Sequence, residues 1–256
     1  MINLTNGLAI ITGAGTGLGR AMAIQLVRQG IRVAGFGRRP EALYQTAELA
    51  GPGFKPCVVD VSSPIEVSTA IELLVREVAP LTLLINNAAV YPRRDFLDET
   101  PQSFMQSIAI NLGGVVNCSH AALKQMVQSG EGRILNVSTF ADLAPLPASA
   151  AYAVSKGAAR IFTKALLSDL ADRFPDIVVN DWMPGMLATE MGVADGLSPE
   201  IAARWGVELA LWHDPSLNGT IWERNMELLP PRSLKGRIKD RLLFRNHAPR
   251  RLRTGT

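Results

Sequence analysis

Two side chains of this sequence are spaced to act on one proton. In Tyr152-Ala153-Val154-Ser155-Lys156 the phenol and the ammonium stand four residues apart, which on a helix puts them on one face. A tyrosine ionises near pH 10, so bringing it about three units toward neutrality takes roughly 4 kcal/mol of preferential stabilisation of the phenolate. A lysine cation one turn away supplies part of that. Such a tyrosine can serve as a general acid and, in the reverse direction, as a general base. Alone the pair means little, because Tyr-x-x-x-Lys arises by chance on exposed helices, so the rest of the chain has to supply company for it.

The company is a glycine-rich turn, Thr12-Gly13-Ala14-Gly15-Thr16-Gly17-Leu18-Gly19-Arg20, which follows an apolar run and precedes a helical one. Glycines at 13, 17 and 19 let backbone N–H groups and a helix N-terminus approach a pyrophosphate, and Gly15, Thr16 and Leu18 complete the cradle. An ordinary strand-to-helix turn would also use glycine, but the strand before and the helix after are the context that dinucleotide binding requires. An acid usually ends the second strand of such a site. This chain reads Ala34-Gly35-Phe36-Gly37-Arg38-Arg39, with Gly37 in the acid's place. Without the carboxylate, Arg38 can take a 2′-phosphate in its planar fork, so NADP(H) is favoured and NAD(H) stays open; the competing reading makes Arg38 and Arg39 solvated turn residues. Asp60, followed by Val61, fits two roles equally, acceptor for an adenine amino group or cap of the next helix. The positive ring of an oxidised nicotinamide would supply the rest of the stabilisation that Tyr152 needs.

These residues need a scaffold, and the chain can build one. It has 256 residues, 47% hydrophobic and 19% charged, enough for one substantial core and unlike a disordered or fibrous protein. Short apolar runs at Leu8–Thr12, Arg32–Gly37, Pro56–Asp60, Leu81–Asn86, Arg133–Ser138 and Ile177–Trp182 read as strands covered on both faces. Helical spacing occupies Leu18–Gln29, Pro40–Ala50, Pro64–Val78, Pro101–Ser129, Ser149–Arg173 and Pro199–His213, and a short strand near Thr220–Glu223 completes the pattern. Alternation of this kind predicts a single α/β domain with a doubly wound parallel sheet. Cys57 and Cys118 cannot form a disulfide framework or a zinc site, and His120, His213 and His247 lack ligand spacing, so no metal is expected. Arg20 is the first basic residue, too late for a secretory leader, and no apolar run is long enough to span a bilayer, so a cytoplasmic location is expected.

In its order of motifs the sequence resembles the short-chain dehydrogenase/reductase family across about residues 5 to 223. The matching pieces are Thr12-Gly13-x-x-x-Gly17-x-Gly19, Asn86-Asn87-Ala88-Ala89, Asn111 in Ile110-Asn111-Leu112-Gly113, Tyr152-x-x-x-Lys156, and Pro184-Gly185 with Thr189. The resemblance implies a Rossmann-type fold and a nicotinamide-dependent reaction between a carbonyl and an alcohol. It implies that Asn87 stabilises the central strand beside the cofactor, which Ala88 helps to bind. It gives Asn111 a water in a proton relay through Lys156, Lys156 the nicotinamide ribose, Pro184 and Gly185 the loop at the ring, and Thr189 the carboxamide or a phosphate. The family's substrate-orienting serine falls at Thr139, whose hydroxyl donates and accepts as serine's does; Ser138 is the fallback. Departures are Ala89 for glycine, Thr82 for aspartate, and Trp222-Glu223-Arg224 where the family often ends in Asp-Gly-Gly.

Loops after the fourth, fifth and sixth strands should line a pocket with Val90, Tyr91, Phe140, Leu143, Leu146, Met186 and Leu187, and Asp142, Arg93 and Arg94 are its polar candidates. A mainly apolar ketone or secondary alcohol fits such a lining, under a short lid. Residues 1–231 are expected to be the catalytic domain, with a net charge of −5 that gives no nucleic-acid character. Residues 232–256 form a basic tail of net charge +8, with Leu234, Ile238, Leu242 and Leu243 at helical spacing. That tail could pack on the body, on a second subunit or on an anionic surface. The resemblance implies a homodimer or homotetramer built on the Pro101 and Ser149 helices. The alternatives are a non-catalytic nucleotide sensor or scaffold, whose usual mark would be loss of the Tyr or the Lys, and an epimerase or dehydratase using the same tyrosine.

Overall fold

The computed structural model describes residues 7–170, 172–230 and 248–253. Eight strands form one sheet in the order β3-β2-β1-β4-β5-β6-β7-β8. They are β1 (Leu8–Thr12), β2 (Arg32–Gly37), β3 (Phe54–Val58), β4 (Leu81–Asn86), β5 (Glu131–Val137), β6 (Asp176–Met183), β7 (Ile221–Glu223) and β8 (Met226–Leu228). All neighbouring pairs are parallel except β7 with β8. The helices α1 (Gly17–Arg28), α2 (Pro40–Ala50), α3 (Pro64–Glu77), α4 (Pro101–Ile108), α5 (Gly114–Ser129), α6 (Ala150–Leu170) and α7 (Pro199–Leu211) supply the crossovers. This is a single-domain, doubly wound Rossmann-type α/β fold. Strands β1 and β4 are buried along nearly their whole length, as a strand covered on both faces must be. One apolar layer joins the sheet to α1, α2 and α7, and a second joins its other face to α3, α5 and α6.

The chain runs outward from β1 to β3 and then crosses to β4 on the other side of β1. That reversal opens a crevice at the carboxyl ends of β1 and β4, where ligands of open α/β sheets bind. The glycine turn and Asn87 both lie there.

Four local differences from the sequence reading have physical causes. The span Pro101–Ser129 is two helices, broken by a wide i→i+5 turn over Ala109–Gly113. Inside it Asn111 turns its side chain onto the Val90 backbone, accepting from its N–H (2.8 Å) and donating to its carbonyl (3.0 Å). Strand β3 begins at Phe54, two residues before Pro56, because Phe54 already pairs with Val33; a proline is tolerated on an edge strand. Ser138 leaves β5, although its N–H still reaches Trp182 O at 2.7 Å. Strand β8 was not expected: Arg224, at φ 52°, and Asn225 turn the chain back on β7.

Residues 248–253 return to the body. Arg251 bridges Met226 in antiparallel fashion, Leu252 is buried in the core, and the Arg250 guanidinium lies over the rings of Trp212 and Trp222 at 5.6 and 5.8 Å. Arg250 also forks onto Glu227 at 2.7 and 2.8 Å. Where the family ends in Asp-Gly-Gly, this chain buries Trp222 instead, and Trp182 donates its indole N–H to Arg224 O at 2.9 Å. Leu234, Ile238, Leu242 and Leu243 lie outside the described residues.

Candidate active site

The glycine turn is fixed from below and from the side. Thr12 Oγ1, at the end of β1, accepts from the backbone N–H groups of Asn87 and Ala88, each at 2.9 Å. Asn87 Nδ2 donates back to Thr12 O at 2.9 Å, so β4 and the turn are stitched together. Arg20 donates to Gly15 O and reaches α2 through Thr46 and Gln45. Gly13 and Gly17 take left-handed backbone at φ 69° and 51°, which a side chain would strain. At Gly19 a Cβ would stand 2.2 Å from Gly13 O. The third glycine thus lets the helix start press directly on the turn, and the N-terminus of α1 is left facing the crevice.

A cavity of about 940 Å³ runs from this turn across the carboxyl end of the sheet. At one end it meets Gly13, Thr16, Gly17 and Leu18, then Gly37, Arg38 and Arg39, then Val59, Asp60 and Val61. At the other it meets Thr139, Phe140, Tyr152 and Lys156, beneath Pro184, Gly185, Met186 and Thr189. Asn87, Ala88, Tyr91 and Leu146 line the stretch between. The pieces that the motifs place far apart in sequence therefore share one space. Of the residues assigned from sequence, Gly15, Gly19, Arg94, Asn111, Asp142 and Leu143 do not line it. Asp60 caps no helix: its Oδ1 closes a turn on Ser62 N–H (2.9 Å) and Oγ (2.7 Å), while Ser63 is the residue that caps α3.

At the reacting end, the Thr139 hydroxyl stands beside the Tyr152 hydroxyl on the wall of the cavity. Burial holds the Tyr152 hydroxyl above the usual tyrosine range; the neighbouring Thr139 hydroxyl works against this, and the nearby Tyr91 and Asp142 add to it. Without a cofactor beside it, the phenol is governed by desolvation rather than by the lysine one turn away. The Tyr91 ring stacks on the Tyr152 ring with centroids 4.4 Å apart. The Lys156 ammonium is buried, donates to Val137 O at 2.8 Å, and is pulled down to about 8, chiefly by desolvation, with Asp181 opposing. Asn111 is wholly buried and donates to Ser155 Oγ at 2.9 Å, tying the wide turn to the helix that carries Tyr152.

Asp142, read from sequence as a substrate contact, is instead paired with Arg160 at 2.6 Å, both side chains 9% exposed. Arg160 also donates to Thr139 O, so it braces the loop that carries the threonine hydroxyl. Arg94 turns away to Glu99 and Ser103, and Leu143 is exposed. Arg93, at φ 47°, crosses the mouth and donates to Met191 O and Gly192 O at 3.0 and 2.5 Å. The short lid is consequently tied down on the substrate side and folded on itself through Ala188 N–H to Leu197 O and Leu197 N–H to Met186 O, both 2.9 Å. Sequence reasoning missed Arg160 and Asp181. A lone charge within the apolar run Ile177–Met183 was the signal for Asp181.

The cavity suits a dinucleotide because its glycine cradle excludes side chains: a Cβ at Gly19 would stand 2.2 Å from Gly13 O, and one at Gly13 would stand 3.0 Å from Ala88 on left-handed backbone. Residues 7–197 match the family model of the short chain dehydrogenases, and the chain belongs to the short-chain dehydrogenase/reductase family. These are oxidoreductases of the CH–OH/C=O couple that bind a nicotinamide cofactor and act on small molecules. Carbonyl reductase [NADPH] 2 of Sus scrofa is 33% identical over 204 residues, covering 79% of this chain and 81% of the reductase. D-erythrulose reductase of Gallus gallus is 32% identical over 196 residues, 76% of this chain and 77% of that one. A 3alpha-hydroxysteroid dehydrogenase of Mediterraneibacter gnavus is 31% identical over 201 residues, with 75% and 78% covered. Among the described residues no helix is long and apolar enough to cross a membrane, and no cluster of His, Cys, Asp or Glu could hold a metal ion.

Proposed function

We propose that this chain is an NADP(H)-dependent reductase or dehydrogenase of mainly apolar ketones and secondary alcohols, with Tyr152 as the general acid in reduction and the general base in oxidation. The observation that carries the reading is the Thr139–Tyr152 pair at the inner end of a cavity that is continuous with the glycine cradle. A bound nicotinamide supplies the hydride or accepts it. Burial keeps the Tyr152 phenol protonated at neutral pH, as a proton donor to a developing alkoxide must be. Thr139 orients the substrate oxygen, and Lys156 holds the ribose and keeps a positive charge near the phenol. Tyr91, Leu146 and Met186 give the substrate end its apolar walls, which supports a substrate without a charged group.

The phosphorylated cofactor is favoured because Gly37 offers no carboxylate to repel a phosphate, and Arg38 and Arg39 border the cavity beside it. The name of the porcine relative points the same way. Residues 1–231 are read as the catalytic unit and 232–256 as a tail whose last described residues pack on it. The exposed apolar side chains Met105 on α4 and Val154 and Ile161 on α6 support a homodimer or homotetramer through these helices, and the protein is read as cytoplasmic. The deciding experiment is a panel of ketones and alcohols followed by nicotinamide absorbance, with Tyr152→Phe beside the wild type. The variant is expected to bind NADP(H) nearly as well while turnover falls by orders of magnitude. Unchanged turnover would remove Tyr152 from the reaction.

A further inference from the structure

Behind the reacting groups lies a buried charge cluster of which the proposed reaction uses only Lys156. Lys156, Arg160 and Thr163 are spaced i, i+4 and i+7 on α6, so they share the face that rests on β5 and β6. Asp181, in β6, is 3% exposed and sits beside Asn136 in the strand register. Its Oδ1 accepts from Thr163 Oγ1 at 2.9 Å. The bond continues a fixed chain of side chains: Asn136 Nδ2 donates to Thr163 Oγ1 (3.0 Å), and Asn86 Nδ2 donates to Asn136 Oδ1 (2.8 Å) and to Ser119 Oγ (3.1 Å). The carboxylate is therefore built in.

The cluster balances two cations against two anions, and they are not paired alike. Arg160 has Asp142 as its close partner. Lys156 donates to the Val137 carbonyl, next to the strand position paired with Asp181. A buried ammonium whose hydrogen bond goes to a neutral carbonyl is costly to keep charged, and a buried anion close by is what offsets that cost. We propose that Asp181 is a positioning residue of this site, the buried counterion that keeps Lys156 charged where it must hold a ribose and favour the tyrosinate. The inference rests on the catalytic reading of Tyr152 and Lys156 given above. Besides Asp181 on β6, Lys156 meets the Val137 carbonyl on β5, and Tyr152 shares its helix face one turn away. The groups facing Asp181 are Lys156, Arg160 and Thr163 on α6, Asp142 on the loop after β5, and Asn136 on β5. Desolvation pushes the Asp181 carboxyl up and draws the Lys156 ammonium down, and the charge of each opposes the shift of the other.

The test is Asp181→Asn in the full chain, a near-isosteric change that keeps an acceptor for Thr163. With lysine carrying ¹³C at Cε and the Lys156 signal assigned by Lys156→Arg, the ammonium of the cofactor-free protein is titrated by NMR. The midpoint is expected to fall by about one pH unit, which makes the charged form about tenfold scarcer above it. The alkaline limb of kcat/KM for ketone reduction is expected to move down with it, leaving the rate near pH 6 close to wild type. An unmoved Lys156 midpoint overturns the proposal even if activity drops, because a merely structural role would lower the rate evenly across pH. If Tyr152→Phe retains turnover, the catalytic reading fails while the NMR titration still decides the ion pair. Should Asp181→Asn not fold, Thr163→Val weakens the same carboxylate; a smaller shift in the same direction supports the proposal and none refutes it.

Discussion

Replacing Arg160 by methionine tests the pair that braces the catalytic loop. The two side chains are each 9% exposed and their charged atoms lie 2.6 Å apart, so the change leaves the Asp142 carboxylate buried without its cation. Breaking a buried pair from one side costs about 3–5 kcal/mol. In a domain of this size each kcal/mol moves Tm by roughly 2–4 °C, so a fall of about 10 °C is expected. The penalty comes mostly from the stranded carboxylate, so Arg160→Met with Asp142→Asn should recover a good part of it, with a coupling of at least about 1 kcal/mol in the double-mutant cycle. Arg160 also bonds the Thr139 carbonyl, so both variants should lose turnover while NADP(H) affinity holds. Denaturant melts of the four proteins, with kcat and cofactor Kd for each, measure all of this. Strictly additive losses would refute the reasoning, because the two groups would then not be acting as a pair.

Three further changes probe other parts of the molecule. Arg38→Asp puts an acid beside the vacant position at Gly37 and should shift the NADPH to NADH ratio of kcat/KM by about 100-fold, roughly 3 kcal/mol, toward NADH; an unaltered ratio excludes Arg38 from phosphate binding. Gly19→Ala drives a Cβ to 2.2 Å from Gly13 O, so the cradle must open, and titration of NADP(H) by fluorescence should show at least about tenfold weaker binding. Arg250→Ala removes the fork onto Glu227 and the cation over two indoles and should cost about 1–3 kcal/mol. Arg250 holds the Glu227 carboxyl below the usual glutamate range, so this pair stabilises the fold fully above the unfolded glutamate pKa and loses that contribution as pH falls through the folded one. The Tm gap between wild type and Arg250→Ala should therefore narrow below about pH 4, to the part held by the indole rings.

Much of the scaffold could be read from the chain because its information is local. Doubly covered strands are near-continuous apolar runs, and the prolines at 40, 64, 101 and 199 mark the first turns of four helices. The glycine cradle and the Tyr152 helix were legible for the same reason. What stayed hidden depends on contacts distant in sequence. The wide turn at Asn111 exists because the Val90 backbone receives its side chain, and no spacing within Pro101–Ser129 reports that. Asp142 falls where a pocket residue would, yet Arg160, eighteen positions on, claims its carboxylate. Leu252 is buried although it stands among arginines, because β8 and Trp222 provide a surface that a tail read by itself does not suggest.

The two margins of the sheet are closed by unrelated means. Along β3, Pro56 has no N–H to offer and the neighbouring Lys55 is exposed. Along β8, the returning residues Arg250 to Leu252 take up the outward N–H of Glu227 and the carbonyl of Asn225. An incoming strand thus finds no run of free amide groups on either rim, and lateral growth into a continuous intermolecular sheet is blocked at both ends. Copies of this protein are therefore not expected to associate through their sheet margins, so any contact between them has to use another face of the fold.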